Sequence, residues 1–198
     1  MIKRLTCIAF VCALALAGCV QTTDSASNTS ACDGSSEKAC DAAETAADEY
    51  GFIPMEFDEA IAFFKEGKSG LLYFGFPDCP WCKEAVPILQ QEAKDTGVDV
   101  YYIRTRDSEH NRLYTDEQKE NIVPYMKDYM SNNDEGVLTL YVPAIVAVKD
   151  GKAVAGHVGT VDEHNAKEGP MTSEQKKQAE EEIQAVVDAA KEAQSQTK

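Results

Sequence analysis

Between Gly70 and Pro77 the chain reads Leu71-Leu72-Tyr73-Phe74-Gly75-Phe76, a short, almost continuous apolar and aromatic run. Such a run reads as a strand buried on both faces. Just beyond it, Trp81 to Thr96 places Val86, Leu89 and Ala93 on one helical face and stops at Gly97. Val98 to Arg104 then returns to a β-rich pattern. Strand, helix and strand in that order form a βαβ unit, with parallel strands and a right-handed crossover. The chain is thereby committed to an α/β fold around a central sheet.

The remaining pattern builds outward from this unit. A domain beginning near Tyr50 opens with a helix that Asp58 can cap, on which Phe57, Ile61 and Phe64 share a face before Gly67. Ala144 to Val148 and Ala153 to Val158 flank Asp150-Gly151, a dipeptide suited to a tight hairpin, which makes the sheet mixed. Thr172 and Gln175 form a capping-box pattern, and Ala179, Ile183, Val186 and Ala190 line a last helix expected to cover the sheet. Thr105 to Tyr141 is longer than an ordinary connection. Thr115 with Gln118, and Ile122, Met126 and Tyr129 despite Pro124, predict a helical insertion there with loops on either side. The polar stretches Asp107 to Tyr114 and Ser131 to Gly136 are the places where partner specificity would be carried.

The first residues form a separate unit. Lys3 and Arg4 precede an apolar run from Leu5 to Ala17, the pattern of a secretory signal. Leu16-Ala17-Gly18-Cys19 resembles the lipobox of bacterial lipoproteins, so residues 1–18 read as a lipoprotein signal peptide and Cys19 as a lipid anchor. An ordinary signal peptide with an incidental cysteine is the alternative. Cys7 and Cys12 would leave with the signal. Residues 19–49 are rich in Ser, Thr, Ala, Asp and Glu, without the large apolar side chains that could offset the entropy of ordering them, and read as an acidic flexible tether. Cys32 and Cys40 lie in it, and export places them where a local disulfide persists; a redox relay to another site is the other reading. With 19 basic against 34 acidic residues, the formal charge of -15 argues against nucleic acid or an anionic membrane surface as a partner.

Cys79-Pro80-Trp81-Cys82 falls between the buried strand and the start of the helix. A helix N-terminus offers unpaired N–H groups and the positive end of its dipole, and both favour a thiolate. Cys79 is therefore the nucleophile. Cys82, about one turn along, can turn inward and resolve the mixed disulfide that Cys79 makes with a client. Pro80 suits the first helical turn, where its missing N–H is no loss. A zinc half-site is the competing reading of such a pair, with Cys32, Cys40, His110, His157 and His164 as the remaining ligands and no second C-x-x-C among them, so no metal is assigned. A merely structural disulfide would close a tiny loop and constrain little.

These residues resemble the thioredoxin-like superfamily over about Ile53 to Ala190. Pro87 stands five residues after the second cysteine, as in that family, and Val142-Pro143 matches its cis-proline position. The resemblance implies a three-layer α/β/α fold with a central mixed sheet and the helical insertion, about 105–141, before the cis-proline loop. It also implies that the Val142 backbone pairs with an extended client chain beside the dithiol. From the residues alone, Pro143 reads equally as a proline that opens a strand. Two departures stand out. Pro80-Trp81 is closer to the Pro-aromatic pair of glutaredoxins than to Gly-Pro, and Tyr73, six residues before Cys79, occupies the place of the family's buried acid. Deprotonation of Cys82 then needs other help, with Lys83, Glu84 or water as candidates. Asp78 opposes and Lys83 favours a Cys79 thiolate. Trp81 shields the dithiol or touches clients, whereas His157 reads as a hydrogen-bonded surface residue and Tyr73, Phe74 and Phe76 as core.

The expected function is a thiol-disulfide oxidoreductase of the outer face of the cytoplasmic membrane. It would be lipid-anchored and monomeric, work without a cofactor, act on exported proteins or peptides, and be recycled by a membrane redox partner. The alternative is a tethered module that holds a partner or a soft metal such as Cu(I) through the dithiol without turnover.

Overall fold

The computed structural model describes residues 50–196. The expected signal peptide and tether, with Cys7, Cys12, Cys19, Cys32 and Cys40, lie outside the described residues.

In chain order the elements are β1 (Ile53–Pro54), α1 (Phe57–Lys65), β2 (Gly70–Gly75), α2 (Pro80–Thr96), β3 (Val100–Arg104), α3 (Asp116–Met126) with a 3-10 turn at Lys127–Tyr129, β4 (Ser131–Asn132), β5 (Leu138–Thr139), β6 (Ala144–Lys149), β7 (Lys152–Val158) and α4 (Ser173–Ser195). The main sheet has the order β1-β3-β2-β6-β7. β2 is central, parallel to β3 and antiparallel to β6, so the βαβ unit and the hairpin share one strand.

Every residue of β2 is buried, and strand alternation sends its side chains to two different layers. Leu71 and Tyr73 join Val100, Tyr102, Ile145 and Ala147 under α2 and α4. Leu72 and Phe74 join Ile103, Val146 and Val148 under α1 and α3. The result is the expected three-layer α/β/α arrangement around a mixed sheet, with the insertion supplying a helix to one outer layer.

The local signals act as their chemistry requires. Gly97 closes α2 in the left-handed region at φ 71°, and Thr115 and Thr172 accept the N–H of Gln118 and Gln175 at the starts of α3 and α4. Asp150 and Gly151 both have positive φ, as a two-residue hairpin turn between β6 and β7 demands. Gly151 has a second reason to be glycine: a Cβ there would lie 2.2 Å from the Phe64 carbonyl oxygen.

The structure corrects the sequence reading at three places. α1 starts two residues earlier than an Asp58 cap allows: the Glu59 carboxylate accepts the N–H of the capping residue Glu56 at 2.8 Å, and Phe57 is already inside the helix, buried against Phe74. Ser131 to Gly136 is not plain loop. β4 and β5 pair across a turn in which Asn133 Oδ1 accepts the N–H groups of Glu135 and Val137. β1 adds an edge strand parallel to β3, and two residues are too few to show any periodicity.

Candidate active site

Cys79 ends the β2–α2 connection in the N-cap position of α2, with extended backbone angles and Pro80 in the first turn. Its Sγ accepts the N–H of Cys82 at 3.3 Å, so the sulfur performs the capping that a Ser or Asp oxygen usually performs. Both cysteines are free thiols and buried, at 3 % and 2 % exposure. They form a small apolar cluster with Phe76, against which Trp81 and Val142 pack.

The two sulfurs are treated unequally. Cys79 is drawn down to about 7, chiefly by the hydrogen bond from the Cys82 thiol, with burial opposing and with the N–H groups of Cys82 and Trp81 and the charge of Lys83 adding to the effect. Cys82 is pushed up, first by burial and then by its hydrogen bond to Cys79 and the Cys79 charge. Around neutral pH it is therefore the outer sulfur that ionises, while the inner keeps its proton. Lys83 Nζ also stands 3.5 Å from Asp78 Oδ1, so the two charges flanking Cys79 are paired on the exposed surface.

Across the cleft, the Val142-Pro143 peptide bond is cis. The Val142 carbonyl oxygen lies 3.7 Å from Cys79 Sγ and accepts its S–H when the thiol is protonated. The Pro143 carbonyl is held from behind by the N–H of Gly159 at 2.8 Å, which ties the end of β7 to this loop. Cys79, Cys82, Trp81, Val142 and Pro143 are thus brought to one place from two segments far apart in the chain.

Several residues behave differently from the sequence reading. Glu84 does not serve Cys82: its carboxylate takes His164 Nε2 at 3.0 Å and the Met171 N–H at 2.7 Å, pinning the segment before α4 to the active-site helix. His157 is not a surface residue. It is buried, its Nδ1 is 3.2 Å from Glu182 Oε2, and burial lowers its pKa. Among the described residues no three His, Cys, Asp or Glu side chains converge as a metal site would need. His110 reaches Phe76 edge-on at 5.6 Å, so the insertion does border the site.

The sequence reading placed Tyr73 in the core, at the position of the family's buried acid. Its ring is core, stacked on Tyr102 at 5.3 Å and edge-on to Phe52, and burial, with the charge of the nearby Cys82 adding, pushes the pKa of its hydroxyl well above the usual phenol range. Gly75 makes room for it, since a Cβ there would fall 2.2 Å from the hydroxyl oxygen. The signal was present in the sequence: a tyrosine followed two residues later by a glycine on the same strand face, six residues before Cys79.

No protein-family model matches the chain, and no curated protein matches it. Among solved structures, the oxidised form of thioredoxin O2 from Arabidopsis thaliana is similar at 16 % identity with a TM-score of 0.35, covering 61 % of this chain and 89 % of that one. The α/β/α fold is read from the strand order and layers of this chain itself, with the dithiol placed between β2 and α2.

Proposed function

We propose that the chain is a thiol-disulfide oxidoreductase working through Cys79 and Cys82, held by a lipid on Cys19 at the outer face of the cytoplasmic membrane and acting on exported proteins or peptides. The observation that carries this reading is the unequal pair: a thiolate-prone Cys79 at a helix N-terminus, backed by a protonated Cys82 and faced by the Val142 carbonyl.

In the reducing direction the Cys79 thiolate attacks one sulfur of a client disulfide, forming a Cys79–client bond and expelling the other client sulfur as a thiolate. Cys82 then gives up its proton and attacks Cys79 Sγ. The Cys79–client bond breaks, the second client sulfur leaves with the bonding electron pair, and the Cys82 proton together with one taken from water ends on the two client thiols. Two electrons have passed from the dithiol to the client, and the oxidising direction is the same sequence reversed. A client chain laid against Val142 would meet Trp81 on one side and His110 on the rim. Because Cys79 is 3 % exposed, client binding must displace part of that cover.

Equilibrating the protein in glutathione buffers and trapping its free thiols tests the reading. A reversible two-electron couple near about -270 mV assigns a reductase fed by an electron donor, and one near about -120 mV an oxidant. Absence of any reversible couple would end the proposal. Cys82→Ser should trap mixed disulfides with clients, whereas a module that merely holds a partner traps none.

A further inference from the structure

We propose that the polar cavity beside Trp81 is a subsite for a basic client residue, seating the side chain of an arginine or lysine that neighbours the client's reacting cysteine; the proposal rests on the oxidoreductase reading above and names the class of client.

The cavity holds roughly 270 Å³ and is bounded by Trp81 of the active-site motif, by the end of β7 with the loop that follows it, and by Glu182 of α4. Neither cysteine lines it, and neither does Val142 or Pro143. It is nonetheless joined to both parts of the site. Trp81 packs against the cluster of Phe76 and the two cysteines, and Gly159 of the cavity wall donates its N–H to the Pro143 carbonyl at 2.8 Å. A client chain laid against Val142 with its sulfur at Cys79 therefore borders the cavity with a neighbouring side chain.

The wall is built to accept hydrogen bonds and positive charge. Asp162 and Glu182 bring two carboxylates, and no lysine or arginine lines the cavity. The imidazole of His164 is taken by Glu84 at 3.0 Å. His157, in contrast, has an atom left over. Its Nδ1 lies 3.2 Å from Glu182 Oε2, and burial favours the neutral ring, so Nδ1 is the donor and Nε2 an acceptor. Nε2 has no partner, and neither has the Thr160 hydroxyl, although His157 is 7 % and Thr160 5 % exposed. Three buried side-chain polar atoms are unpaired among the described residues, and two of them belong to this one wall. A buried polar atom without a partner is costly, so two in one cavity wall point to a ligand that brings donors.

A separate observation gives that ligand its charge. The ammonium of the exposed Lys167 stands 5.7 Å over the Trp81 ring, so the aromatic wall already receives a cation, from a side chain that a client cation can replace. An arginine matches the whole set, with five N–H donors, no acceptor and a planar face for the indole. A lysine brings the charge and three donors. A glutamate in the same place would meet two carboxylates and be rejected.

The test uses the full chain in mild detergent and short disulfide-linked peptide dimers that differ only in carrying Arg, Gln or Glu beside the cysteine. The Arg peptide should react about tenfold faster than the Gln peptide, the scale of a hydrogen bond to a charged group, and the Glu peptide slowest. Thr160→Val and Glu182→Gln should each shrink the Arg-to-Gln ratio, Glu182→Gln to nearly one. Glu181→Gln makes the same change in net charge one residue away, on a side chain that does not line the cavity, and should keep the ratio. A second readout needs no redox step. Trp81 is the only tryptophan of the chain, so its fluorescence reports on this wall. The Arg peptide with serine in place of cysteine should change that fluorescence saturably, and the Gln peptide should not at the same concentration. Equal rates for the Arg and Gln peptides overturn the proposal. So does a ratio that survives Glu182→Gln, or one that Glu181→Gln lowers as much, since net charge alone then explains the preference. If no peptide exchanges with the protein, reduced or oxidised, the oxidoreductase reading fails by itself, and the fluorescence titration still decides whether the cavity takes a basic side chain.

Discussion

The two faces of the central sheet are made from the same strands and do different work. Under α1 and α3, Leu72, Phe74, Ile103, Val146 and Val148 meet Phe57, Phe63, Phe64, Ile122 and Met126, and nothing in that buried set carries a polar side-chain atom capable of chemistry at neutral pH. Under α2 and α4, the alternate residues of the same strands include Tyr73 and Tyr102, and His157 of β7 pairs with Glu182 of α4. The dithiol lies over this second face. One face supplies apolar burial, and the other combines burial with a few placed polar atoms. Alternation along β2 thus separates stability from chemistry by a single residue step.

Substitutions can break or sharpen that division. Phe74→Ala on the apolar face should cost about 3–5 kcal/mol in urea unfolding, as deletion of a fully buried ring does, while the Cys79 titration midpoint of the folded protein stays in place. A moved midpoint would show that the faces are coupled. Gly75→Ala should cost about 1–3 kcal/mol because the added methyl meets the clamped Tyr73 ring. Unlike Phe74→Ala it acts on the face that α2 covers, and it should also move the Cys79 midpoint.

A smaller effect is expected from pH alone. Alkylation of Cys79 by iodoacetamide should rise through a midpoint at about 7 and level off above it, whereas Cys82 stays unreactive over the same range. Peptide mapping of the alkylated sites checks both halves. The least effect should come from His157. Its folded pKa lies below the unfolded value, so the unfolded chain takes up the proton first and stability falls as pH drops below about 6.5. His157→Gln should flatten that acid limb of a pH–stability curve.

The comparison also explains what could be read in advance. The buried strand, the C-x-x-C at a helix start, the capping boxes at Thr115 and Thr172 and the Asp150-Gly151 hairpin were legible because each is a pattern within a few residues. β1, β4 and β5 were not, since two-residue strands show no period. The start of α1 was misplaced because Asp58 is a good cap in isolation, while burial of Phe57 against Phe74 draws the helix two residues further back.

The roles inside the site divide the same way. By itself the sequence determined that Cys79 would be the outer, activated sulfur and Cys82 the inner one, because both roles follow from position along a helix whose N-terminus the spacing marks. Only the tertiary structure decided that Glu84 serves His164, 80 residues away, and not Cys82, that the Val142 carbonyl faces Cys79 across 63 residues, and that Tyr73 stacks on Tyr102. Periodicity tells which layer a side chain enters. Which partner it meets there is set by how the layers close on one another, through contacts between residues that the chain order keeps far apart.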